Sequence, residues 1–191
     1  MRNISKIALL MHLLTCAGLS FAASYPAQVP VTGETGGAAG SASGVAWPNP
    51  RFVVGRGTTA NCVTDKLTGL MWVKDLKTVV IKRRANGSDT NWQNALDSVK
   101  LANSNGGYCG YTDWRLPNVT ELKSLVNYSQ TSPADWLNKQ GFRDVQADYY
   151  WSSTSSVFDT SHAWFVHFDS GYVDAFNKSF NSYVWPVRGG K

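Results

Sequence analysis

The chain has 191 residues, of which 18 are Lys or Arg and 13 are Asp or Glu, so its formal net charge is +5. Charged residues make up only 16% of the chain and aromatic residues 13%, a composition that excludes intrinsic disorder of the whole chain. The length allows one domain with a tail but not two large lobes. Three cysteines exclude a disulfide-dense miniature scaffold and a four-cysteine zinc site.

The first 22 residues have the pattern of a secretory signal peptide. Two cations precede an apolar run, and Ser20 and Ala22 are the small residues expected before a cleavage site. A membrane anchor is the alternative, but the apolar run is shorter than the ~20 residues that span a bilayer. A lipoprotein acylated at Cys16 is less favoured, because Thr15 is larger than the residue that usually precedes such a cysteine.

Cleavage after Ala22 leaves 16 cations and 13 acids, a net charge of +3, and removes Cys16. Cys62 and Cys109 then reach an oxidising compartment, where a pair most simply forms one structural disulfide. Catalytic thiol chemistry is the less favoured use of the pair. Residues 23–44 are rich in Gly, Ala, Ser, Thr and Pro without periodicity and predict a flexible leader, which places the folded domain at residues 45–191.

The first half of this domain predicts short strands followed by a helix. Residues 63–73 form two extended segments around a turn at residues 65–69. Thr90, followed three residues later by Gln93, is typical of a helix capping box. An apolar face of helical period follows, and Gly106 with its glycine neighbour is expected to end the helix.

A second helix and several strands follow. Asn118 and Glu121 form another capping box, which predicts a helix over residues 119–127. Alternating patterns then predict antiparallel strands, with a hairpin turn at residues 169–171, over residues 149–151, 163–168, 172–177 and 183–188. The fold class predicted is α+β, with two short helices flanking a twisted antiparallel sheet.

Several sequence strings occur in an order that resembles a known family. They are GVAWPNPRF at residues 44–52, VTD at 63–65, TGLMW at 68–72, DWRLPN at 113–118, EL at 121–122, YWSS at 150–153 and VRGG at 187–190. Together they are similar to the Lcl C-terminal domain-like family, named after the end domain of a bacterial collagen-like surface adhesin. The resemblance extends over residues 45–190.

This resemblance implies a C-type lectin-like fold and an extracytoplasmic binding role. For the adhesin itself, the implied ligand is a sulfated glycosaminoglycan. The chain departs from the family in two respects. It has no collagen-like Gly-X-Y tract, so trimerisation is not implied, and residues 59–62 replace the aspartate-glycine turn common before the VTD string.

Most of the matched residues are interpreted as structural. Those with a predicted structural role are Asp65, Trp72, Asp113, Trp114, Arg115, Trp151, Trp185 and Arg188. The tryptophans lie in apolar contexts, where a core role is favoured over sugar stacking. Arg115 is expected to hold a carboxylate or loop carbonyls, with Asp65 and Asp113 as possible partners, in preference to a catalytic role.

The first candidate binding site is electrostatic and lies within residues 74–84. Against the single acid Asp75, this stretch carries Lys74, Lys77, Lys82, Arg83 and Arg84. Its local charge of +4 exceeds that of the mature chain, so the basic character is a patch rather than a property of the whole protein. Clustered Lys and Arg engage sulfates or phosphates through charge-assisted hydrogen bonds. A solvated loop without a ligand is the alternative.

The second candidate site is the face of the C-terminal strands and their loop. Its ligand-binding residues are predicted to be Ser155, Phe158, Asp159, His162, His167, Tyr172, Asp174, Phe176 and Asn177, with Ser156, Phe180 and Asn181 beside them. Such mixtures of rings and small polar residues are typical of antibody-like recognition surfaces. Ordinary hairpin alternation, with one face of each strand solvated, is the alternative.

Catalysis is disfavoured by the arrangement of polar residues. His162 and His167 form no recognisable triad with Asp159 or Asp169, and no cluster has zinc-like spacing or a short calcium-binding motif. A relative of formylglycine-generating enzymes remains a remote alternative, although the local cysteine pair of that chemistry is missing. The sequence predicts no cofactor and no metal site.

These observations predict an exported, non-catalytic recognition domain that is secreted, displayed on the cell surface or periplasmic. Its expected ligand is a polyanionic glycan, similar to a glycosaminoglycan, or a protein bound in adhesion. A structural subunit of an envelope or appendage assembly is the alternative. Export disfavours a nucleic-acid partner, and we expect no membrane insertion after signal cleavage. The oligomeric state stays open.

Overall fold

A computed structural model describes residues 47–79 and 90–189. The predicted signal peptide and the whole of the predicted leader precede these ranges, and residues 45–46, 80–89 and 190–191 also lie outside them. All statements below concern the described residues.

The described residues form two antiparallel sheets and three short helices. The elements are β1 (Phe52–Val54), β2 (Cys62–Asp65), β3 (Met71–Val73), α1 (Trp92–Ser104), α2 (Val119–Lys123), α3 (Pro133–Lys139), β4 (Tyr149–Ser155), β5 (His162–His167), β6 (Tyr172–Asn177) and β7 (Val187–Arg188). The first sheet has the order β1-β2-β3-β7 and the second the order β4-β5-β6. The α+β class is therefore confirmed.

The expectation of a single sheet is wrong, because the last strand pairs with β3 in the first sheet. The strand predicted over residues 183–188 is reduced to Val187–Arg188. Pro186 has no N–H to donate, which interrupts a longer ladder. Its carbonyl accepts from the Val73 N–H at 3.3 Å, so the chain still adheres to β3.

The first predicted helix is confirmed, with its start one residue later than expected. Asn91, rather than Thr90, is the N-cap, and its side chain accepts from the Asn94 N–H. Thr90 instead exchanges two backbone hydrogen bonds with Ser182, both of 3.0 Å, and is held extended. Gly106 has a φ of 93°, the left-handed conformation that ends a helix and that glycine adopts without strain.

The second helix begins at its predicted capping box but ends at Lys123 instead of residue 127. Asn118 and Glu121 cap each other's backbone N–H groups as predicted. Beyond Lys123 the backbone hydrogen bonds span three residues instead of four, as in the bond from the Leu125 N–H to the Leu122 carbonyl at 3.2 Å. The carbonyl of Ser124 accepts from the buried Arg51 guanidinium at 2.7 Å, which diverts it from helical hydrogen bonding.

Two elements were not predicted from the sequence. Helix α3 carries an N-terminal signal in Ser132, whose hydroxyl caps the Asp135 N–H, followed by Pro133 in the first turn. Strand β1 has only three residues and pairs with β2 in a hairpin. Its exposure pattern shows one buried residue, so no alternation was available to identify it.

Aromatic rings fill the core where the two sheets meet. The Trp185 ring centroid lies 5.1 to 5.7 Å from the ring centroids of Trp72, Phe142, Tyr150 and Phe168. All four tryptophans interpreted as structural are buried. The contacts with Trp72 and Phe142 are edge-to-face, an arrangement that adds stability beyond the area buried.

Candidate binding faces

A buried ion pair organises the first sheet. The Arg51 guanidinium donates to both carboxylate oxygens of Asp65, at 2.9 and 2.7 Å, and lies between the rings of Trp47 and Phe52. Asp65 also accepts from the Leu67 N–H, which fixes the turn between β2 and β3. This carboxylate is fully occupied and buried, so its geometry is that of a structural residue.

Arg115 has a different partner from those expected. The Arg115 guanidinium donates two hydrogen bonds to the Glu121 carboxylate, of 2.7 and 2.6 Å, and a third to the Gly189 carbonyl. Asp113 pairs instead with Arg188, with 2.7 Å from its carboxylate to the Arg188 Nε. Asp65 and Asp113 are therefore not partners of Arg115. The sequence predicted Glu121 as a helix-capping residue but did not identify it as the partner of Arg115.

The pairing of Arg115 with Glu121 shifts the pKa of both side chains. Burial alone raises the pKa of Glu121, but the hydrogen bonds from Arg115 and from the Asn118 N–H outweigh it, so the pKa lies below its usual range. The hydrogen bond to Glu121 raises the pKa of Arg115. Both groups are thus held in their charged forms and locked to each other.

The disulfide expected between Cys62 and Cys109 is confirmed. It joins β2 to the turn after α1, with a Cα–Cα distance of 6.4 Å. The disulfide therefore links the turn a few residues before Arg115 covalently to the first sheet.

A basic face forms where two distant parts of the chain meet. Arg143 donates its N–H to the Lys74 carbonyl at 2.8 Å and accepts at its own carbonyl from Leu76, which places it beside Lys77. We define the basic face as Lys74, Lys77 and Arg143. The Lys77 ammonium lies 3.5 Å from the Asp144 carboxylate and is largely exposed, whereas Lys74 donates to the Ala60 carbonyl.

The remaining cations of the predicted electrostatic site, Lys82, Arg83 and Arg84, lie outside the described residues. Arg143 was missed because its position follows from backbone pairing across almost seventy residues, and no local signal marks it. An exposed arginine next to an acid is common on any surface.

The second sheet brings together part of the predicted C-terminal face. Residues paired across strands share a face, and successive residues alternate. The register of β4, β5 and β6 places on one face Tyr149, Ser155, Phe165, His167, Tyr172, Asp174 and Phe176. We call this the ring face, and with Phe180 it includes three exposed rings, Tyr172, Phe176 and Phe180.

Rings on this face are stacked on one another. The Phe165 and Phe176 rings are nearly parallel, with their centroids 4.8 Å apart. Phe176 in turn stacks on Phe180, with 5.3 Å between the ring centroids. Phe165 is buried, whereas Phe180 is 57% exposed at the end of the stack. The stack therefore leads from the core to solvent and holds its outer rings rigidly.

Four predicted members of the C-terminal face lie elsewhere. His162 and Asn177 are opposite each other in the register and fall on the other face of the sheet. His162 pairs with Asp159 at 2.9 Å, so both belong to the base of the loop between β4 and β5. Phe158, at the tip of this loop, is 93% exposed.

Two carboxylates near the ring face are held ionised. A hydrogen bond from the Tyr172 hydroxyl, at 2.5 Å, lowers the pKa of Asp174 and raises that of Tyr172. Hydrogen bonds from the Ser161 hydroxyl and N–H lower the pKa of Asp159. Both aspartates are therefore negative at neutral pH.

Lys178 braces the loop of residues 156–161 and was missed by the sequence reasoning. Its ammonium donates to the Ser155 hydroxyl and the Thr160 carbonyl, both at 2.8 Å, and lies 4.2 Å from the centre of the Trp92 ring. A lone lysine after a strand carries no sequence signal of such a role. The Lys178 ammonium thus makes its contacts within the fold.

A shallow groove of about 340 Å³ lies between α1 and the segment around Arg115. Leu96, Val99 and Leu116 contribute apolar lining, and Asp97 and Lys100 are polar members. The groove includes none of the residues of the two predicted sites.

Within residues 47–79 and 90–189 there is no cluster of three or more His, Cys, Asp or Glu side chains arranged to hold a metal ion. Among the same residues, no helix is long and apolar enough to cross a membrane.

A comparison with protein families matches the Lcl C-terminal domain to residues 61–188. The matched span runs from the start of β2 to the end of β7 and includes the disulfide, the Arg115–Glu121 pair and both faces. No curated protein matches the sequence significantly.

Proposed function

Because the chain belongs to the Lcl C-terminal domain family, we propose that it is an exported, non-catalytic recognition domain that binds a polyanionic glycan through the basic face. The family suggests a bacterial surface domain of the adhesin type. The disulfide is compatible with an extracellular location, because such bonds persist in oxidising compartments.

The observation that carries this proposal is the backbone pairing of Arg143 with Lys74 and Leu76. It gathers three cations from two distant segments, together with the two acids Asp75 and Asp144. Sulfate and carboxylate groups of a glycan accept charge-assisted hydrogen bonds from such side chains, and guanidinium groups bind them in a bidentate manner. Both Lys77 and Arg143 are exposed, and the Lys77 ammonium, 3.5 Å from the Asp144 carboxylate, is still largely open to solvent.

A C-type lectin-like fold belongs to the same proposal. It is supported by the order of the elements, by two short antiparallel sheets and by the first and last strands lying in one sheet. A non-catalytic role is supported by the way in which the polar groups are used. Arg115, Asp65 and Asp113 each form an ion pair with a partner inside the fold.

The test is isothermal titration of the full chain with a heparin oligosaccharide at two salt concentrations. We expect binding that weakens as salt rises, since exposed charges are screened. The double variant Lys77→Ser, Arg143→Ser is expected to bind at least about tenfold more weakly.

A matched control is Lys66→Ser, Lys123→Ser, which removes two exposed cations from other parts of the surface. Equal weakening in both double variants would mean that only net charge matters and that the basic face is not a site. Unchanged affinity in the Lys77 and Arg143 variant would contradict the proposal outright.

A further inference from the structure

The most exposed apolar residues of the described chain lie at one end of the second sheet. Val157 is 86% exposed and Phe158 is 93% exposed, in the loop between β4 and β5. Phe176 lies at the same end, because Ser155 and Phe176 both pair with Ala163, and Phe180 stacks on Phe176. Exposed apolar residues that cluster in this way mark an interaction surface, whereas scattered ones need no explanation.

The loop that carries these residues is held in shape by hydrogen bonds. Ser156 N–H donates to the His162 carbonyl at 3.0 Å, and His162 N–H donates to the Asp159 carbonyl at 2.9 Å. Lys178, directly after β6, adds its bond to the Thr160 carbonyl. Val157 and Phe158, which we call the apolar tip, are therefore presented on an ordered loop, and little conformational entropy is lost when they are buried by a partner.

Two aspartates and one lysine are the charged residues closest to the apolar tip. The other two aspartates of residues 145–187, Asp148 and Asp169, lie at the opposite end of the second sheet, and the lysine is Lys178, which bonds to the tip loop. Asp159 directly follows the tip, and Asp174 lies on the ring face two residues from Phe176. Acidic side chains thus outnumber basic ones at this end of the sheet, and a partner with Lys or Arg around its pocket would match them in charge.

We propose that the apolar tip, flanked by Asp159 and Asp174, is a docking site for a protein partner whose apolar pocket is rimmed by Lys or Arg. Phe158 enters the pocket as a buried aromatic anchor, and Phe176 and Phe180 cover its edge. The carboxylates select the partner by charge. A projecting tip fits a concave protein surface, whereas sugar rings stack on flat platforms. This interaction is separate from glycan binding at the basic face.

The experiment pans a phage-displayed library of random dodecapeptides on the full chain and measures the affinity of synthetic versions of the enriched peptides. We expect sequences that combine apolar residues with Lys or Arg. The variant Val157→Ser, Phe158→Ser should bind them about tenfold more weakly or worse, since anchor residues dominate such contacts. Both side chains are exposed, so the melting temperature should not change.

The control variant is Leu101→Ser, which removes an exposed apolar side chain from α1 and should leave peptide affinity unchanged. Peptides that bind the tip variant as tightly as the unmodified chain, enriched peptides without cations, or no enrichment over an uncoated surface would each overturn the proposal.

Two further measurements test other occupants. Dimerisation of the chain in sedimentation equilibrium that is lost in the tip variant would assign the tip to a second copy. Flotation with phosphatidylcholine vesicles that is lost in the tip variant would assign it to a membrane. Either result would overturn the proposed partner. Heparin affinity reports the basic face independently, so failure of one proposal is distinguishable from failure of the other.

Discussion

The two sheets of this domain use their polar and apolar residues in opposite ways. In the first sheet and its neighbouring segments, charged side chains point at each other, as in the pairs Arg51–Asp65, Arg115–Glu121 and Arg188–Asp113. In the second sheet, aromatic side chains of the ring face reach solvent and its aspartates face outward. The ion pairs of the first sheet thus serve stability, and the second sheet leaves apolar rings available for recognition.

This contrast explains why the family strings are a poor guide to the site. The strings VTD, DWRLPN and VRGG contain Asp65, Asp113, Arg115 and Arg188, and each of these side chains is bonded within the fold. The exposed tip and the basic face come from segments outside those strings. Shared residues therefore identify the fold, and the ligand is to be sought elsewhere on the surface.

The largest expected effect is on the first sheet. Asp65→Ala leaves the buried Arg51 guanidinium without its carboxylate and also frees the Leu67 N–H of the turn. We expect the free energy of unfolding to fall by about 5 kcal/mol, near the upper end for breaking a buried pair. Chemical denaturation followed by tryptophan fluorescence measures it. A loss below about 1 kcal/mol, the level of an exposed pair, would remove the contrast between the sheets.

The disulfide should come next. Replacing both Cys62 and Cys109 by Ser removes a crosslink between residues that are 47 positions apart in the sequence. In the chain-entropy model, the free energy of unfolding falls by roughly 4 kcal/mol. Denaturation of the double variant, compared with the reduced and oxidised native chain, measures the loss. An equal stability of the oxidised and reduced native chain would show that the link does not support the first sheet.

The smallest effect is on the pH dependence of stability. The folded-state pKa of Glu121 is lowered, so its contribution is present above the unfolded pKa and is lost as pH falls through the folded pKa. Unfolding of Glu121→Gln, followed between neutral and acidic pH, should therefore show a shallower loss of stability below the usual glutamate range of about 4.3. An identical acid dependence in both proteins would exclude a stabilising role for the Arg115–Glu121 pair.

Local signals and tertiary pairing account for what the sequence predicted and what it did not. The Asn118–Glu121 box and the β5–β6 hairpin depend on residues a few positions apart, and the disulfide joins the only cysteine pair outside the predicted signal peptide. Arg143 joins the basic face through backbone bonds to a remote segment. The place of β7 beside β3 likewise depends on packing of the whole domain, which no window of sequence contains.

One comparison tests most directly the claim that recognition is divided between two separate faces. Heparin affinity and the affinity of a selected peptide are measured for three proteins: the unmodified chain, Lys77→Ser with Arg143→Ser, and Val157→Ser with Phe158→Ser. The account predicts that the first variant loses heparin affinity alone and that the second loses peptide affinity alone. Loss of both ligands in either folded variant, or of neither ligand in both, would contradict it.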